Sequence, residues 1–315
     1  MATLKQLYNV DSFMAAHEAA KAFDTAGGMI LARNLEHVST EVFEQKFAGL
    51  SFLSQGITVN NEGGFADIIT KLKESIQGSF ALSGGGNNTN GKISLEAESA
   101  GMSVLYKDGF SDWNENELKQ AEFQGRNLVT SFARAHNTIY QRDIDSIGYT
   151  GQAGKSTGLL NHAGFTADAV GGLFSALTTI QVYDAIAALI TNQWAGVFNE
   201  PTYMANRVVM PQAQYNLIAT KIYSANASTD TILQALVKNF PTVTFGITNE
   251  ATLIGGSARM VAFSNDRQAM QMRIPAALTI SPIFQQGFKF QMQSFYRVAG
   301  LDVIENSAGR ILTGI

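Results

Sequence analysis

The chain has 315 residues and a formal net charge of −4; 45% of its residues are hydrophobic, 15% are charged and none is cysteine. The mild negative charge excludes the broad basic face that dominates duplex binding, and the lack of cysteine excludes disulfides, thiolate zinc sites and cysteine nucleophiles. The charged share lies well below the usual value of roughly 25%. This deficit indicates that other subunits cover much of the surface.

Neither export nor membrane insertion is predicted. Residues 1–16, MATLKQLYNVDSFMAA, lack the apolar core of a secretory signal. The most apolar region, 170–198, is interrupted by Gln181, Asp184 and Asn192, which makes it too polar for a membrane span. We therefore expect a soluble protein made in a cytoplasm, without removal of a large propeptide.

The first third of the chain predicts appendages. Residues 1–50 predict an extended arm, and residues 76–106 predict a long hairpin with strands at 79–82, 93–97 and 102–106. The glycine- and asparagine-rich segment 84–91 forms its tip. An isolated two-stranded hairpin is marginally stable in water, so we expect it to lie on a neighbouring subunit; a mobile solvent loop is the alternative.

The next segment predicts one long helix from about Trp113 to Asp143. Asp112 followed by Glu115 predicts a capping box at its start. At 1.5 Å per residue this helix would be about 45 Å long, which indicates a spine along one edge of a flat subunit, with core packing inside an ordinary domain as the alternative. Its apolar residues recur at steps of three and four: Leu118, Ala121, Leu128, Phe132, Ala135 and Ile139.

The remaining chain predicts mixed helices and strands. Its order of arm, hairpin, long helix, mixed region and returning strands is an α+β arrangement with extended appendages. Helices are expected at 180–198, from Pro211 to Tyr223 and at 229–239; strands are expected at 205–210, 242–248 and 258–264, and over 287–304 with a joint near Gly300.

The segment GYTGQAGKST, residues 148–157, resembles two catalytic motifs and fits neither. A P-loop needs a glycine five positions before Gly154, and Tyr149 stands there. A serine hydrolase turn around Ser156 needs an acid and then a histidine downstream. The only downstream histidine is His162, with no carboxylate between the two. We therefore interpret the segment as a flexible turn and Lys155 as a surface charge.

Metal sites are not predicted either. The stretch from Asp143 to Gly154 departs from a calcium loop at its fifth position, Ile147, and at its twelfth. The four histidines form no H-E-x-x-H pair. We assign no catalytic, cofactor-binding or metal-binding residue and expect no cofactor. In a chain of this length, that absence favours a structural or assembly role.

The order of these elements resembles the major capsid proteins of tailed bacteriophages. The resemblance rests on GLLNH (158–162) after the spine helix, VVMPQAQYNLI (208–218) and the terminal FYRVAGLDVIENSAGRI (295–311). The last segment carries the pattern Arg297, Gly300, Leu301, Val303. Each motif alone is weak, but their order and spacing cover nearly the whole chain.

The resemblance implies the Hong Kong 97-like (HK97-like) capsid fold, in which the hairpin is the extended loop that overlaps the adjacent subunit. The implied parts are an N-terminal arm (1–55), the extended hairpin loop with flanking peripheral segments (56–110), a peripheral domain with the spine helix (111–184), an axial domain (185–283) and peripheral return strands (284–315).

The resemblance implies a structural subunit without enzymatic activity. Copies would self-assemble as pentamers and hexamers into an icosahedral phage head that encloses double-stranded DNA, contacted non-specifically. Scaffolding, portal or decoration proteins are further implied partners, and the protein would reside in the virion after synthesis in the bacterial host cytoplasm. The alternatives are an encapsulin-type compartment shell and a P-loop-like nucleotide-binding enzyme using residues 148–158.

Overall fold

The computed structural model describes residues 49–80, 91–223, 229–252 and 258–315. Mixed helix and sheet are confirmed. The chain divides into two compact units, one of residues 1–46 with 116–128 and one of residues 47–115 with 129–315. The helices of the described ranges are α1 (Glu115–Phe123), α2 (Leu128–Thr150), α3 (Thr179–Gly196), α4 (Gln212–Thr220) and α5 (Ile232–Asn239).

The strands belong to five sheets. Their bounds are β1 (Thr58–Asn60), β2 (Ile68–Gly78), β3 (Ile93–Ser103), β4 (Leu105–Asn114), β5 (Gly151–Gln152), β6 (Ser156–Thr157), β7 (Thr166–Ala169), β8 (Arg207–Pro211), β9 (Thr244–Thr248), β10 (Arg259–Phe263), β11 (Met270–Arg273), β12 (Ala276–Ile280), β13 (Phe284–Gln286), β14 (Lys289–Val298), β15 (Gly300–Val303) and β16 (Gly309–Thr313).

The larger sheets join segments that are distant in sequence. One has the order β7-β16-β10-β8-β9 and another the order β1-β11-β15. In a third, β14 pairs with β4 along one edge and with β12 and β13 along the other. Strands β2 and β3 pair only with each other among the described strands, and so do β5 and β6.

Helix α2 packs on the sheet that contains β14. His136 lies between Ser111 of β4 and Ser294 of β14, at 3.0 and 2.7 Å from their hydroxyl oxygens. Tyr140 meets Tyr296 edge-on, with ring centroids 4.9 Å apart. The spine predicted from sequence is therefore a helix that covers one face of a sheet.

The carboxyl-terminal half of α2 anchors the chain that enters β1. Asp145 is buried, and its Oδ1 accepts hydrogen bonds from the backbone N–H groups of Ser51 and Phe52 at 2.8 and 2.7 Å. Burial raises the pKa of Asp145, and these two hydrogen bonds oppose the rise. Asp143 instead accepts hydrogen bonds from Lys107 and Tyr296. Both aspartates of the rejected calcium loop therefore have structural partners.

One hydrophobic core surrounds Phe52, Ile144 and Leu159, and a second core lies between α3, α4, α5 and the five-stranded sheet. Its fully buried side chains include Ile186, Leu189, Val208, Ile218 and Leu236. Capping boxes begin two of these helices, with Thr178 and Gln181 at α3 and Thr231 and Gln234 at α5. The capping residues thus mark the first turns of the same helices whose apolar side chains fill this core.

The prediction of one helix over 113–143 is wrong. Gly125 adopts φ +69° and separates α1 from α2, and the backbone N–H of Arg126 closes the end of α1 on Ala121 O at 2.8 Å. A left-handed glycine after the last turn is a common helix terminator. Helix α2 then continues beyond Asp143 to Thr150.

The boundaries of several other elements also differ from the prediction. Asp112 lies in β4 opposite Gln291 and does not cap a helix. The first hairpin strand is β2, so it precedes the predicted 79–82 segment, while residues 81–90 lie outside the described ranges. Pro211 ends β8 and precedes α4 as its N-cap. The predicted strands at 93–97 and 102–106 are also displaced, because β3 is a single strand that ends at Ser103 and β4 begins at Leu105. The remaining predicted helices and strands are confirmed within a few residues at each end.

The pairing of β7 with β16 predicts an acid-sensitive contribution to stability. Arg310 donates from Nε and Nη2 to the two carboxylate oxygens of Asp168 at 2.6 and 2.8 Å, and these bonds lower the pKa of Asp168. A lowered folded-state pKa stabilises the protein above the unfolded pKa of about 3.9, and this stabilisation is lost as pH falls through the folded value. We expect the unfolding free energy of Asp168→Asn to fall less than that of the wild type as the pH is lowered. Urea unfolding at several pH values between about 3 and 7 measures this difference.

Asp184→Asn, at an exposed position of α3, is the matched control. The control should retain the acid limb of the wild type. Equal acid limbs for Asp168→Asn and the wild type would contradict the assignment to this ion pair.

Candidate intersubunit surface on the β2–β3 hairpin

The hairpin has two chemically different faces, set by the antiparallel register that places Ile76 opposite Leu95 and Lys73 opposite Glu98. Side chains alternate between the faces of a strand. Even-numbered residues of β2 therefore share an apolar face with odd-numbered residues of β3. The opposite face carries most of the charged and polar side chains, which are Lys71, Lys73, Ser75, Gln77, Ser94, Glu96 and Glu98, whereas Glu74 is the one charged residue on the apolar face.

The apolar face is exposed along its whole length. Ile68, Leu72 and Ile76 repeat every fourth residue with exposed fractions of 63%, 75% and 79%. Across the hairpin, Ile93 and Leu95 are also exposed. Each strand has eleven residues, about 35 Å of extended chain. Five large aliphatic side chains exposed on one face over this length favour an interaction site in a folded protein.

The charged face is held at its base by a buried carboxylate. Asp302, with an exposed fraction of 1%, accepts from Lys71 Nζ at 2.5 Å and from Arg273 Nε at 2.9 Å. Lys71 also donates to the backbone oxygen of Val303 at 2.7 Å. A buried carboxylate requires such partners because its desolvation costs several kcal/mol. Lys71 thereby connects β2 to β15.

Two more ion pairs connect the hairpin to the sheet strands. Lys73 donates to Glu305 at 2.9 Å, and Arg297 donates to Asp67, just before β2, at 2.6 Å. Burial alone would raise the pKa of Glu305, but the hydrogen bonds from Lys73 and Ser307 outweigh it and lower the pKa. Three cation–carboxylate contacts therefore set the direction in which the hairpin leaves the subunit.

The segment 148–158 runs from the last turn of α2 through the paired strands β5 and β6. Gly148 lies in the last turn of α2, and a Cβ there would approach the ring of Phe52 to 2.5 Å. Gly151 adopts φ +74°, and a Cβ there would approach a backbone oxygen to 2.3 Å. The side chain of Lys155 is exposed. Gly151 therefore serves the chain reversal that the sequence predicted, whereas Gly148 serves close packing against Phe52, which the sequence did not predict.

The residues that follow secure this turn. Asn161 Oδ1 accepts from the backbone N–H of Gly158 at 2.7 Å, and Asn161 Nδ2 donates to Thr150 O at 2.7 Å. Leu159 and Leu160 are fully buried. The G-L-L-N segment thus closes the turn through the asparagine and anchors it through the leucines.

The other chemically suggestive side chains have structural surroundings. Ser156 Oγ accepts from the backbone N–H of Gln152 at 3.2 Å inside the turn. His162 packs on Phe165 with ring centroids 4.7 Å apart, and burial together with the nearby Lys71 charge lowers the pKa of His162. Among the described residues, no group of three histidine, aspartate or glutamate side chains could hold a metal ion.

Comparisons with known proteins agree with an assembly surface. The family model described as major capsid protein matches residues 92–315. The structure is similar to the capsid of Myoviridae phage XM1, with 53% sequence identity, a TM-score of 0.82 and coverage of 92% of this chain and 100% of that chain. The chain belongs to the major capsid protein family.

More distant capsids share the fold alone. The capsid of the native GTA particle is 14% identical with a TM-score of 0.68, covering 91% of this chain and 97% of that chain. A chain from Mycobacterium phage Ogopogo is 11% identical with a TM-score of 0.59, covering 90% and 98%. Comparison with curated proteins returned no match.

This major capsid protein is a structural subunit of a phage head shell and resides in the virion. Its relatives are structural proteins, so it is not an enzyme, and the phage-shell hypothesis holds over the compartment shell and the nucleotide-binding enzyme. The HK97-like fold is confirmed by the capsid matches. The predicted arm over 1–55 falls mostly outside the described residues. Within the described ranges, no helix combines the length and apolarity needed to cross a membrane.

The hairpin was predicted from the sequence, but the residues that hold it were not. Asp302 and Arg273 are charged residues within apolar strands, and both are buried. Charged residues are almost never buried unless paired. A charge inside an otherwise apolar strand was therefore an available signal, but the sequence contains nothing that identifies Lys71 as the partner.

Proposed function

We propose that the apolar face of the β2–β3 hairpin docks on a neighbouring copy of this capsid protein and so builds the shell. The observation that carries this proposal is the row of exposed Ile68, Leu72 and Ile76 on a hairpin whose opposite face is tied down by ion pairs. The subunit thus presents these apolar side chains to the outside.

The energetics favour a covered hairpin. Burying a large aliphatic side chain contributes about 1.5–3 kcal/mol. Five such side chains lie on this face: Ile68, Leu72, Ile76, Ile93 and Leu95. Association also costs translational and side-chain entropy, so only part of this gain appears as affinity. The base ion pairs reduce that cost because the hairpin is oriented before it docks.

We infer that copies form pentamers and hexamers in an icosahedral shell. The proposed axial domain, residues 185–283, corresponds to most of the second core around α3, α4 and α5. The proposed peripheral domain, 111–184 with return strands 284–315, contains α2 and β14. The arm (1–55) and hairpin segment (56–110) would then reach across subunit boundaries.

The proposed content of the shell is double-stranded DNA, contacted non-specifically. A net charge of −4 suits a container from which DNA must leave, because strong binding to phosphate requires many lysine and arginine contacts. Scaffolding, portal and decoration proteins are further proposed partners, and synthesis in the bacterial host cytoplasm is the proposed origin.

Electron microscopy of the purified protein, together with sedimentation velocity, tests this function. We expect closed icosahedral particles, or pentamers and hexamers as free capsomers. A protein that remains a compact monomer at high concentration, with residues 68–78 and 93–103 resistant to proteases, would contradict the proposal.

A further inference from the structure

Glu74 is an exposed carboxylate in the middle of the apolar face of the hairpin. It lies opposite Ala97, and its neighbours on the same face of β2 are Leu72 and Ile76. It forms no ion pair with another described residue. Moving a carboxylate out of water without a cationic partner costs much free energy. Docking of this face therefore favours a neighbour that presents a cation to Glu74.

A cavity beside the base of the hairpin presents such a cation. Its volume is about 500 Å³, and its walls come from the base of β2 and β3, from residues 154–157 and from β15. Lys155 lines the cavity, is exposed and forms no ion pair with another described residue. Ala100 and Met102 of β3 add apolar walls. The cavity thus combines an unpaired ammonium group with apolar surface, whereas the hairpin face combines an unpaired carboxylate with aliphatic side chains.

The cavity has more charged donors than charged acceptors. Asp302 is the one carboxylate among its lining residues, and both of its oxygens are occupied, Oδ1 by Lys71 and Oδ2 by Arg273. Its side chain is also almost completely shielded from solvent. The Lys155 ammonium group therefore meets no competing free carboxylate in the cavity. An incoming carboxylate from outside the subunit fits this excess of positive charge.

Another exposed lysine shows why the surroundings matter. Lys289, on β14, also forms no ion pair with a described residue. However, the register of β14 with β4 places Asp108 and Asp112 on the same open face of the sheet as Lys289, and both aspartates are exposed. Like charges in a contact disfavour association. The face around Lys289 therefore suits Glu74 less well than the cavity around Lys155.

One subunit does not place its own Glu74 at its own cavity. Lys71 lies opposite Ala100, and both line the cavity, which therefore adjoins the charged face of the hairpin. Glu74 belongs to the opposite face because side chains alternate along a strand. An ion pair between Glu74 and Lys155 consequently joins two copies.

We propose that Glu74 of one copy binds Lys155 of a neighbouring copy at the mouth of this cavity, with Leu72 and Ile76 packing beside Ala100 and Met102. The inference rests on the hairpin docking proposed above and names the surface that receives the hairpin. The ion pair fixes the register of the contact, because the apolar side chains alone would tolerate sliding. The contact is head-to-tail, and repeated contacts of this kind close into rings when the rotation between copies allows it.

Charge exchange tests the pair. We expect Glu74→Lys and Lys155→Glu each to weaken assembly at least about tenfold, because like charges then meet in the contact. The double variant Glu74→Lys/Lys155→Glu should recover most of the loss, whereas the matched control Glu74→Lys/Lys289→Glu should not. Both residues of the pair are exposed, so each variant should keep the circular dichroism spectrum of the wild type. Sedimentation velocity and electron microscopy measure the yield of particles.

Carbodiimide coupling of the assembled wild type gives a second measurement, since this reagent joins a carboxylate and an amine that are in contact. We expect covalent oligomers on a denaturing gel and a linked peptide pair that contains Glu74 and Lys155. Lys155→Arg keeps the positive charge but has no amine for this reaction, so this variant should assemble without the link.

Wild-type particles without the link, or a double variant that assembles no better than the single variants, would overturn this contact and leave the proposed shell function intact. Failure of the wild type to assemble would instead overturn the shell function itself.

Discussion

Replacing Leu72 and Ile76 together by aspartate is expected to abolish particle formation and to leave the subunit folded. Both side chains are exposed in the subunit, so their loss costs little folding free energy. If the apolar face docks on a neighbour, the variant loses about 1.5–3 kcal/mol for each side chain per contact and must also desolvate two carboxylates. Each contact should then weaken by at least about a hundredfold.

The matched control places the same two charges on the opposite face. Ser75→Asp/Gln77→Asp changes exposed residues of the same strand that share the face of Lys73. We expect this variant to form particles in sedimentation velocity and electron microscopy, whereas Leu72→Asp/Ile76→Asp sediments as small species. Normal particles from the apolar-face variant would show that the neighbour covers a different surface.

Asp302→Ala is expected to destabilise the subunit by about 3–5 kcal/mol, the range measured when one partner of a buried ion pair is removed. The substitution leaves the charges of Lys71 and Arg273 without their shared carboxylate in a site that is largely shielded from water. Urea unfolding followed by fluorescence of Trp113 and Trp194 measures the loss, because each indole packs against a phenylalanine ring of its own core.

Glu305→Ala provides the comparison, since its pair with Lys73 is more exposed. Exposed pairs contribute about 0–1 kcal/mol, so the Glu305 variant should unfold close to the wild type. An Asp302 variant as stable as the Glu305 variant would show that the buried carboxylate is not the anchor of β2.

The Asp302 variant and the Leu72/Ile76 variant separate the orientation of the hairpin from its docking on a neighbour. Loss of Asp302 releases the base of the hairpin while its apolar face stays intact, and the aspartate variants do the reverse. A partly folded Asp302 variant that still assembles would indicate that the neighbour, not the base, orients the hairpin. This distinction matters because a preoriented hairpin loses less entropy on association.

Local sequence patterns predicted a helix or strand well where its own residues contain a start, stop or apolar pattern. Helix α3 begins at a capping box, and β8 is an apolar run that ends at Pro211. The resemblance in GLLNH and the terminal segment led to the correct family. The long helix was misjudged because its apolar steps continue across Gly125, whose left-handed conformation ends α1. Periodicity alone does not register one residue's φ angle.

Short strands were the main omission. Strands β1, β7 and β13 have only three or four residues, and each is a strand because another segment pairs with it: β1 with β11, β7 with β16 and β13 with β14. Segments of three or four residues carry too little alternation to be recognised. The backbone groups of these short strands form hydrogen bonds with their partner strands, and such pairing cannot be read from the three or four residues themselves.

The sequence by itself determined the family, the α+β class and the absence of thiol chemistry, because composition and the order of motifs can be read along the chain. Only the tertiary structure decided which carboxylate holds Lys71, which faces the hairpin has and why Gly148 must lack a Cβ. The physical reason is that ion pairs, close packing and cavities arise between residues distant in sequence, and these contacts exist only after the chain has folded.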